Sequence, residues 1–177
     1  EYKRLHNHLD FLLHPYIERI VHVGSTSVES MGAKPILDVV IEYTEHFETI
    51  KQILEQNHYT YEGEKGIRDR HAFKQLTDAF YEHHLYVSLQ GSENHNNTLT
   101  FKRALQNSSL YRAQYSTLKQ QLIQKNNVNR ELYTESKTDL IQSILKEESL
   151  VKSIVFAGGC FWGVEAYFKQ LEGVTDT

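Results

Sequence analysis

A strand-like run, RIVHV at residues 19–23, leads straight into Gly24-Ser25-Thr26-Ser27, and the next apolar run, ILDVVIEY at 36–43, carries Asp38. Glycine allows a backbone to approach a phosphate closely, and exposed N–H groups with the hydroxyls of Ser25, Thr26 and Ser27 can cradle it. A carboxylate on the neighbouring strand can hold a divalent cation against the same phosphates, which makes Asp38 the candidate metal ligand and catalytic carboxylate, with Mg²⁺ or Mn²⁺ as the candidate cofactor. An Asp in a buried strand is costly unless it is paired or metal-bound. The plainer alternative is that Asp38 caps a turn or pairs with Lys34 or an arginine.

A second reactive group is Cys160, set in FAGGCFWGVEAYFKQLEGV at the start of a helix-patterned run. Helix N-terminal N–H groups favour the thiolate and so make such a cysteine more nucleophilic. The chain has 10 histidines, of which His83 and His84 are the adjacent pair. Adjacent strand positions point to opposite faces, so those two cannot share an ion.

These groups need elements to hold them. Leu5, Leu9, Leu12 and Leu13 predict an amphipathic helix over residues 2–14, ended by Pro15. Strands are predicted at 19–23 and 36–43, flanking a small polar loop with a turn of helix. A helix follows from an N-cap at Thr44 to about Glu55, with Phe47, Ile50, Ile53 and Leu54 on one face. Three strands come next: Tyr59–Tyr61, His71–Leu76 and His84–Leu89. From Asn94 the period turns helical, with Leu99, Phe101 and Leu105 in one helix, Tyr111, Tyr115, Leu118 and Leu122 in a second, and Leu132, Leu140 and Ile144 in a third. The tyrosines at helical spacing read as core or rim packing. The order predicts an α/β (α+β) domain, a mixed sheet with flanking helices and a C-terminal helical portion. Beyond Leu150, SIVF and the glycine loop start a new strand–loop–helix unit.

Composition narrows the function classes. The 177 residues are 40% hydrophobic and 24% charged, near globular averages, so disorder is not expected. No apolar run approaches the roughly 20 residues a membrane span requires, and no signal peptide is visible. The single cysteine excludes an internal disulfide framework and points to a cytoplasmic protein. Residues 1–99 carry 9 Lys+Arg against 15 Asp+Glu, whereas residues 100–150 carry 8 against 5. A basic helical stretch beside an acidic remainder suits an anionic small molecule. It is too weak for a nucleic-acid footprint, and neither nucleic acid nor membrane is expected as a partner.

The segment HVGSTSVESMGAKPILDVVIE resembles the signature of the GrpB family, H-x-G-S-T-[AS]-V-x-x-x-x-x-K-P-I-x-D. The likeness continues through GIRDRHAFKQ, HHLYV and LTFKRAL, and through Tyr111, Tyr115, Leu118, Lys119, Tyr133 and Lys137, covering about residues 1–148. It implies a nucleotidyltransferase-like fold, in which a Gly-Ser loop grips nucleotide phosphates and strand carboxylates bind Mg²⁺ for in-line transfer. The residues such a scaffold would gather are His22, Gly24, Ser25, Ser27, Lys34, Asp38, Arg70, His84, Lys102, Lys119, Tyr133 and Lys137. Gly24, Ser25 and Ser27 would contact phosphate, while Arg70, Lys102, Lys119 and Lys137 would neutralise it. His84 reads as a ligand contact, a base or a satisfied core histidine. Val40 stands where an active transferase carries its second carboxylate. Glu42 shares the face of Asp38 but lies about 13 Å along the strand, too far to share an ion.

The tail resembles the opening of peptide-methionine sulfoxide reductase A, whose motif is G-C-F-W-G. The resemblance implies that Cys160 would attack the sulfoxide sulfur while Phe161 and Trp162 hold the substrate methyl group. It covers about residues 152–177, and the chain has no second cysteine to resolve a sulfenic acid. Reductase activity is therefore not expected without the rest of that enzyme. The domain expectation is a GrpB-like unit at 1–149 and a truncated reductase-like start at 150–177. The functional expectation is binding of a nucleotide or other phosphate-bearing small molecule, with metal-dependent nucleotidyl transfer as its catalytic form. The alternatives are a non-catalytic adaptor or ligand-sensing module, or part of a fusion with the reductase.

Overall fold

The structure, a computed structural model, describes residues 1–124 and 130–150, with the side chains of 1–121 and 137–149. Cys160, Phe161 and Trp162, and the strand–loop–helix unit expected around them, lie outside the described residues, as does the side chain of Tyr133.

Helix α1 (Tyr2–Leu13) buries Leu5, Leu9 and Leu13, one position per helical turn, and hands over at Pro15 to a 3₁₀ turn at His14–Tyr16. Strand β1 (Arg19–Val23) and strand β2 (Leu37–Tyr43) pair antiparallel across the Gly24 loop, which includes a 3₁₀ turn at Ser25–Ser27. Helix α2 (Phe47–Gln56) starts later than predicted, because His46 takes a left-handed conformation at the N-cap. Thr44 instead donates its hydroxyl hydrogen to Glu18 Oε1, 2.9 Å away. Strands β3 (Tyr59–Tyr61), β4 (Arg70–Gln75) and β5 (His83–Leu89) complete the sheet. Helices α3 (Glu93–Asn107), α4 (Ser109–Gln124) and α5 (Arg130–Leu150) follow.

The sheet order is β1-β2-β5-β4-β3. Only the central β2–β5 pair is parallel, so this is a mixed sheet, and the fold is mixed α/β as expected. Alternation sorts the strands into two faces. Leu37, Val39, Ile41 and Tyr43 join Leu85, Val87, Phe73 and Ile20 against α1 and α2, forming the main core. Asp38, Val40 and Glu42 point the other way, toward the helical layer. That layer has its own smaller cluster of Val28, Leu105 and Tyr115, with Phe101, Leu140 and Ile141 against it. The tyrosines therefore pack as predicted: Tyr115 is buried, and Tyr111 donates its hydroxyl hydrogen to Glu147 at 2.8 Å.

Among the described residues, no helix is long and apolar enough to cross a membrane.

Candidate functional site

Between the second sheet face and helices α3–α5 lies a cleft of about 360 Å³, a size suited to a small molecule. Its floor is Val23, Gly24, Ser25, Asp38, Val40, Arg70 and Tyr86, and its roof includes Phe101, Lys102, Tyr115, Lys137 and Ile141. Among the described residues of its lining, Arg70, Lys102 and Lys137 are basic and Asp38 is the carboxylate.

Gly24 adopts φ 69° and ψ −174°, a combination reserved almost wholly for glycine. A Cβ there would stand 2.1 Å from Asp38 Oδ2, so the bare α-carbon packs on the carboxylate. The other oxygen, Oδ1, accepts a hydrogen bond from His84 Nδ1 at 2.9 Å. That bond is the main reason the His84 imidazole titrates above its ordinary value; the negative charge of Asp38 adds to it and partial burial opposes it. Asp38 thus has His84 as its partner, in place of Lys34 or an arginine.

Lys119 reaches from α4 to the loop, donating to Ser25 Oγ at 3.0 Å and to the Gly32 carbonyl at 2.8 Å. Its ammonium and that of Lys137 lie 5.6 and 5.9 Å from the centre of the same Tyr115 ring. Burial, then the charge of Lys137, lowers the pKa of Lys119, while Asp38 pulls it back up. Lys102 is lowered too, by burial and then by Arg19. The Arg70 guanidinium sits 4.8 Å over the Tyr86 ring, and its Nε is buried without a hydrogen-bond partner.

Of the expected site residues, Gly24, Ser25, Asp38, Arg70, Lys102 and Lys137 line the cleft, and Lys119 touches it through Ser25. Four others lie outside its lining. His22 alternates onto the α1 face, where it stacks on Tyr2 with ring centres 4.5 Å apart. Its Nε2 donates to Thr26 Oγ1 at 2.9 Å, and Thr26 in turn donates to the Ile36 carbonyl, so His22 braces the loop from behind. Ser27 spends its hydroxyl on the Gly24 carbonyl at 2.7 Å. Lys34 is exposed on the loop. His84 adjoins Asp38 but lines a neighbouring cavity with Lys65 and Glu82. His83 points to the opposite face, as alternation predicts, where its Nε2 accepts from the Tyr59 hydroxyl at 2.9 Å.

Sequence reasoning missed Asn94, Asn97, Thr98 and Phe101, which line the cleft from α3, and Ile141, Gln142 and Leu145 from α5. Their signal was present as spacing: positions 94, 97, 98, 101, 102 and 105 form one helical stripe. Glu42 does share the face of Asp38, but it is fully buried, accepting from Arg19 Nε at 2.8 Å. His95 Nε2 lies 3.2 Å from the same oxygen, which ties the first turn of α3 to the sheet.

Among the described residues, the donor set around Asp38 does not fit a two-metal centre. Its neighbours on the face are Val23, Val40 and His84, and among the described residues no group of three His, Cys, Asp or Glu side chains could hold a metal ion.

A family model described as GrpB protein matches residues 1–147, and one described as Peptide methionine sulfoxide reductase matches residues 152–177. UPF0157 protein YqkA of Bacillus subtilis is 33% identical over 138 residues, which are 76% of this chain and 40% of that protein. The crystal structure of conserved protein GrpB from Enterococcus faecalis has a TM-score of 0.71 at 26% identity, covering 83% of this chain and 89% of that one. The tail is 67% identical over 27 residues to Peptide methionine sulfoxide reductase MsrA of Clostridium acetobutylicum, 15% of this chain and 17% of that enzyme. The chain therefore spans less than half the length of either curated relative.

Proposed function

This chain belongs to the GrpB family over residues 1–147, and from that premise we propose that its cleft binds a nucleotide or another phosphate-bearing small molecule. The observation that carries the reading is convergence. A glycine-serine loop with N–H and hydroxyl donors meets Arg70, Lys102 and Lys137 in one cleft, although these residues come from four separate parts of the chain. Lys119 supports the arrangement: its ammonium donates to Ser25 Oγ, which leaves the serine hydrogen available to a phosphate oxygen. Tyr86 and Phe101 line the same cleft and supply aromatic surface for an apolar or aromatic portion of the ligand.

We place binding ahead of catalysis. Metal-dependent nucleotidyl transfer on a nucleotidyltransferase-like scaffold calls for a second carboxylate beside Asp38, and Val40 stands there, 4% exposed. The same residue favours a second reading, a ligand-sensing module without turnover. The single cysteine supports a cytoplasmic location. The reductase-like tail matches 17% of MsrA, and a role for Cys160 in sulfoxide reduction would require the rest of that enzyme.

A thermal-shift panel on the full chain tests the proposal, using pyrophosphate, nucleoside mono-, di- and triphosphates and uncharged nucleosides. A ligand at 100 times its dissociation constant adds about 2.7 kcal/mol of stability, a readily measured rise in melting temperature. Stabilisation by phosphorylated compounds alone supports the cleft as a phosphate site. No shift with any of them sinks it.

A further inference from the structure

We propose that the cleft takes a nucleoside phosphate lengthwise, with the phosphate on the Gly24-Ser25 loop and a 6-oxopurine base at the far end, its two edge acceptors meeting the Arg70 guanidinium. The inference deepens the phosphate-binding reading above and rests on it. The distance between the two ends and the chemistry of the far one carry it.

The sheet register sets the distance. Gly24 follows Val23, which is paired with Asp38, whereas Arg70 is paired with Ser88, level with Glu42 and Arg19. The sheet order puts β1 and β4 three strand spacings apart. That is about 14 Å across the sheet, and the run from Val23 back to Arg19 adds about 13 Å along it. Helix α3 follows the same diagonal: His95 in its first turn lies against Glu42, and Leu105 near its end packs with Val28 just past the loop. The cleft-lining residues Asn94, Asn97 and Thr98 therefore belong to the Arg70 end, and Lys102 lies nearer the loop. Charged nitrogens meet phosphate oxygens at about 2.7–2.9 Å, so one phosphate cannot rest on Ser25 and also touch Arg70. Arg70, expected from the family likeness to neutralise that phosphate, is left for another part of the ligand.

The far end calls for acceptors. Arg70 Nε is buried and, among the described residues, has no hydrogen-bond partner, and a guanidinium only donates. Its head lies 4.8 Å over the Tyr86 ring, inside the cleft. A carboxylate would satisfy Arg70 but would offer no donor to the amide oxygens of Asn94 and Asn97. The edge of a 6-oxopurine offers both, with O6 and N7 as the acceptor pair that arginine meets bidentately and N–H groups beside them for the amides. Adenine would set its amino group, a donor, against a guanidinium that also donates, and a buried donor would stay unpaired. Tyr86 and Phe101 line the cleft between its ends and supply aromatic surface for the base.

The test is isothermal titration of the full chain with GMP, AMP and ribose 5-phosphate, with Arg70→Lys in parallel. GMP should bind about tenfold more tightly than AMP, the discrimination that one bidentate pair supplies. Arg70→Lys keeps the charge and loses the planar fork, so GMP should fall to the level of AMP while ribose 5-phosphate binds as before. An unchanged melting temperature of the unliganded variant separates that loss from misfolding, and the comparison of GMP with AMP on the wild type stands without the variant. AMP binding as tightly as GMP or more tightly, or a preference for GMP that survives Arg70→Lys, overturns the inference while leaving the phosphate reading intact. Equal weakening of GMP and ribose 5-phosphate in the variant does the same, because it places Arg70 on the phosphate. Binding of none of the three compounds overturns both.

Discussion

Gly24 lies directly on the carboxylate of Asp38, so close that a methyl group on its α-carbon would stand 2.1 Å from Oδ2. The contact joins the loop that starts at Gly24 to the second strand. It also explains why a glycine occupies the loop's first position, since its dihedral angles are open to almost no other residue.

Gly24→Ala should therefore destabilise the fold by at least about 2 kcal/mol, combining backbone strain of about 1–3 kcal/mol with the steric clash. Urea unfolding measures it. In the double variant with Asp38→Ala the clashes with Oδ2 and Cγ disappear, leaving the backbone strain and the 2.9 Å approach to the Cβ of residue 38, so the two substitutions should be non-additive. Strictly additive effects would disprove direct packing of the loop on the carboxylate.

Lys119 is the tie between the helical layer and the loop. Replacing it with methionine keeps most of the stem and removes both hydrogen bonds to Ser25 and Gly32. Amide hydrogen exchange should quicken through residues 24–32 while the core strands β2 and β5 stay protected. Unchanged protection of the loop would show that it holds its shape without α4.

The two adjacent histidines should titrate in opposite directions. His84 is raised, chiefly by its bond to Asp38, and His83 is lowered, chiefly by burial. For His84, with its folded pKa above the unfolded one, the stabilisation is fully present below the ordinary value near 6.5 and is lost as pH rises through the folded pKa. For His83 the sign reverses: folding is favoured above that ordinary value and weakens as pH falls toward the depressed folded pKa. Histidine ring chemical shifts followed by NMR should resolve the two curves on either side of an exposed histidine. Asp38→Asn should bring the His84 midpoint down and leave that of His83 in place. A His84 midpoint unmoved by that change would remove Asp38 as its cause.

Much of this protein is determined locally. Leucines at one-turn spacing make α1, the β-branched runs make β1 and β2, and Pro15 ends the first helix, each from interactions spanning a few residues. The loop between those strands is equally legible, because glycine and small polar residues break the apolar strand pattern. Boundaries set by backbone conformation were not legible: Thr44 looks like a cap, yet α2 starts after a left-handed His46 while the Thr44 hydroxyl goes to Glu18. The partners of the charged groups belong to the tertiary structure alone. Asp38 meets His84 because β5 lies parallel beside β2, 46 residues away in the chain. Lys119 meets Ser25 across 94 residues because α4 returns over the loop. His22 turns its ring away from the cleft by the two-residue alternation of its strand, although its place beside Gly24 suggests a ligand contact. Electrostatic partnership depends on distance in space, and a pattern of residue types records only distance along the chain.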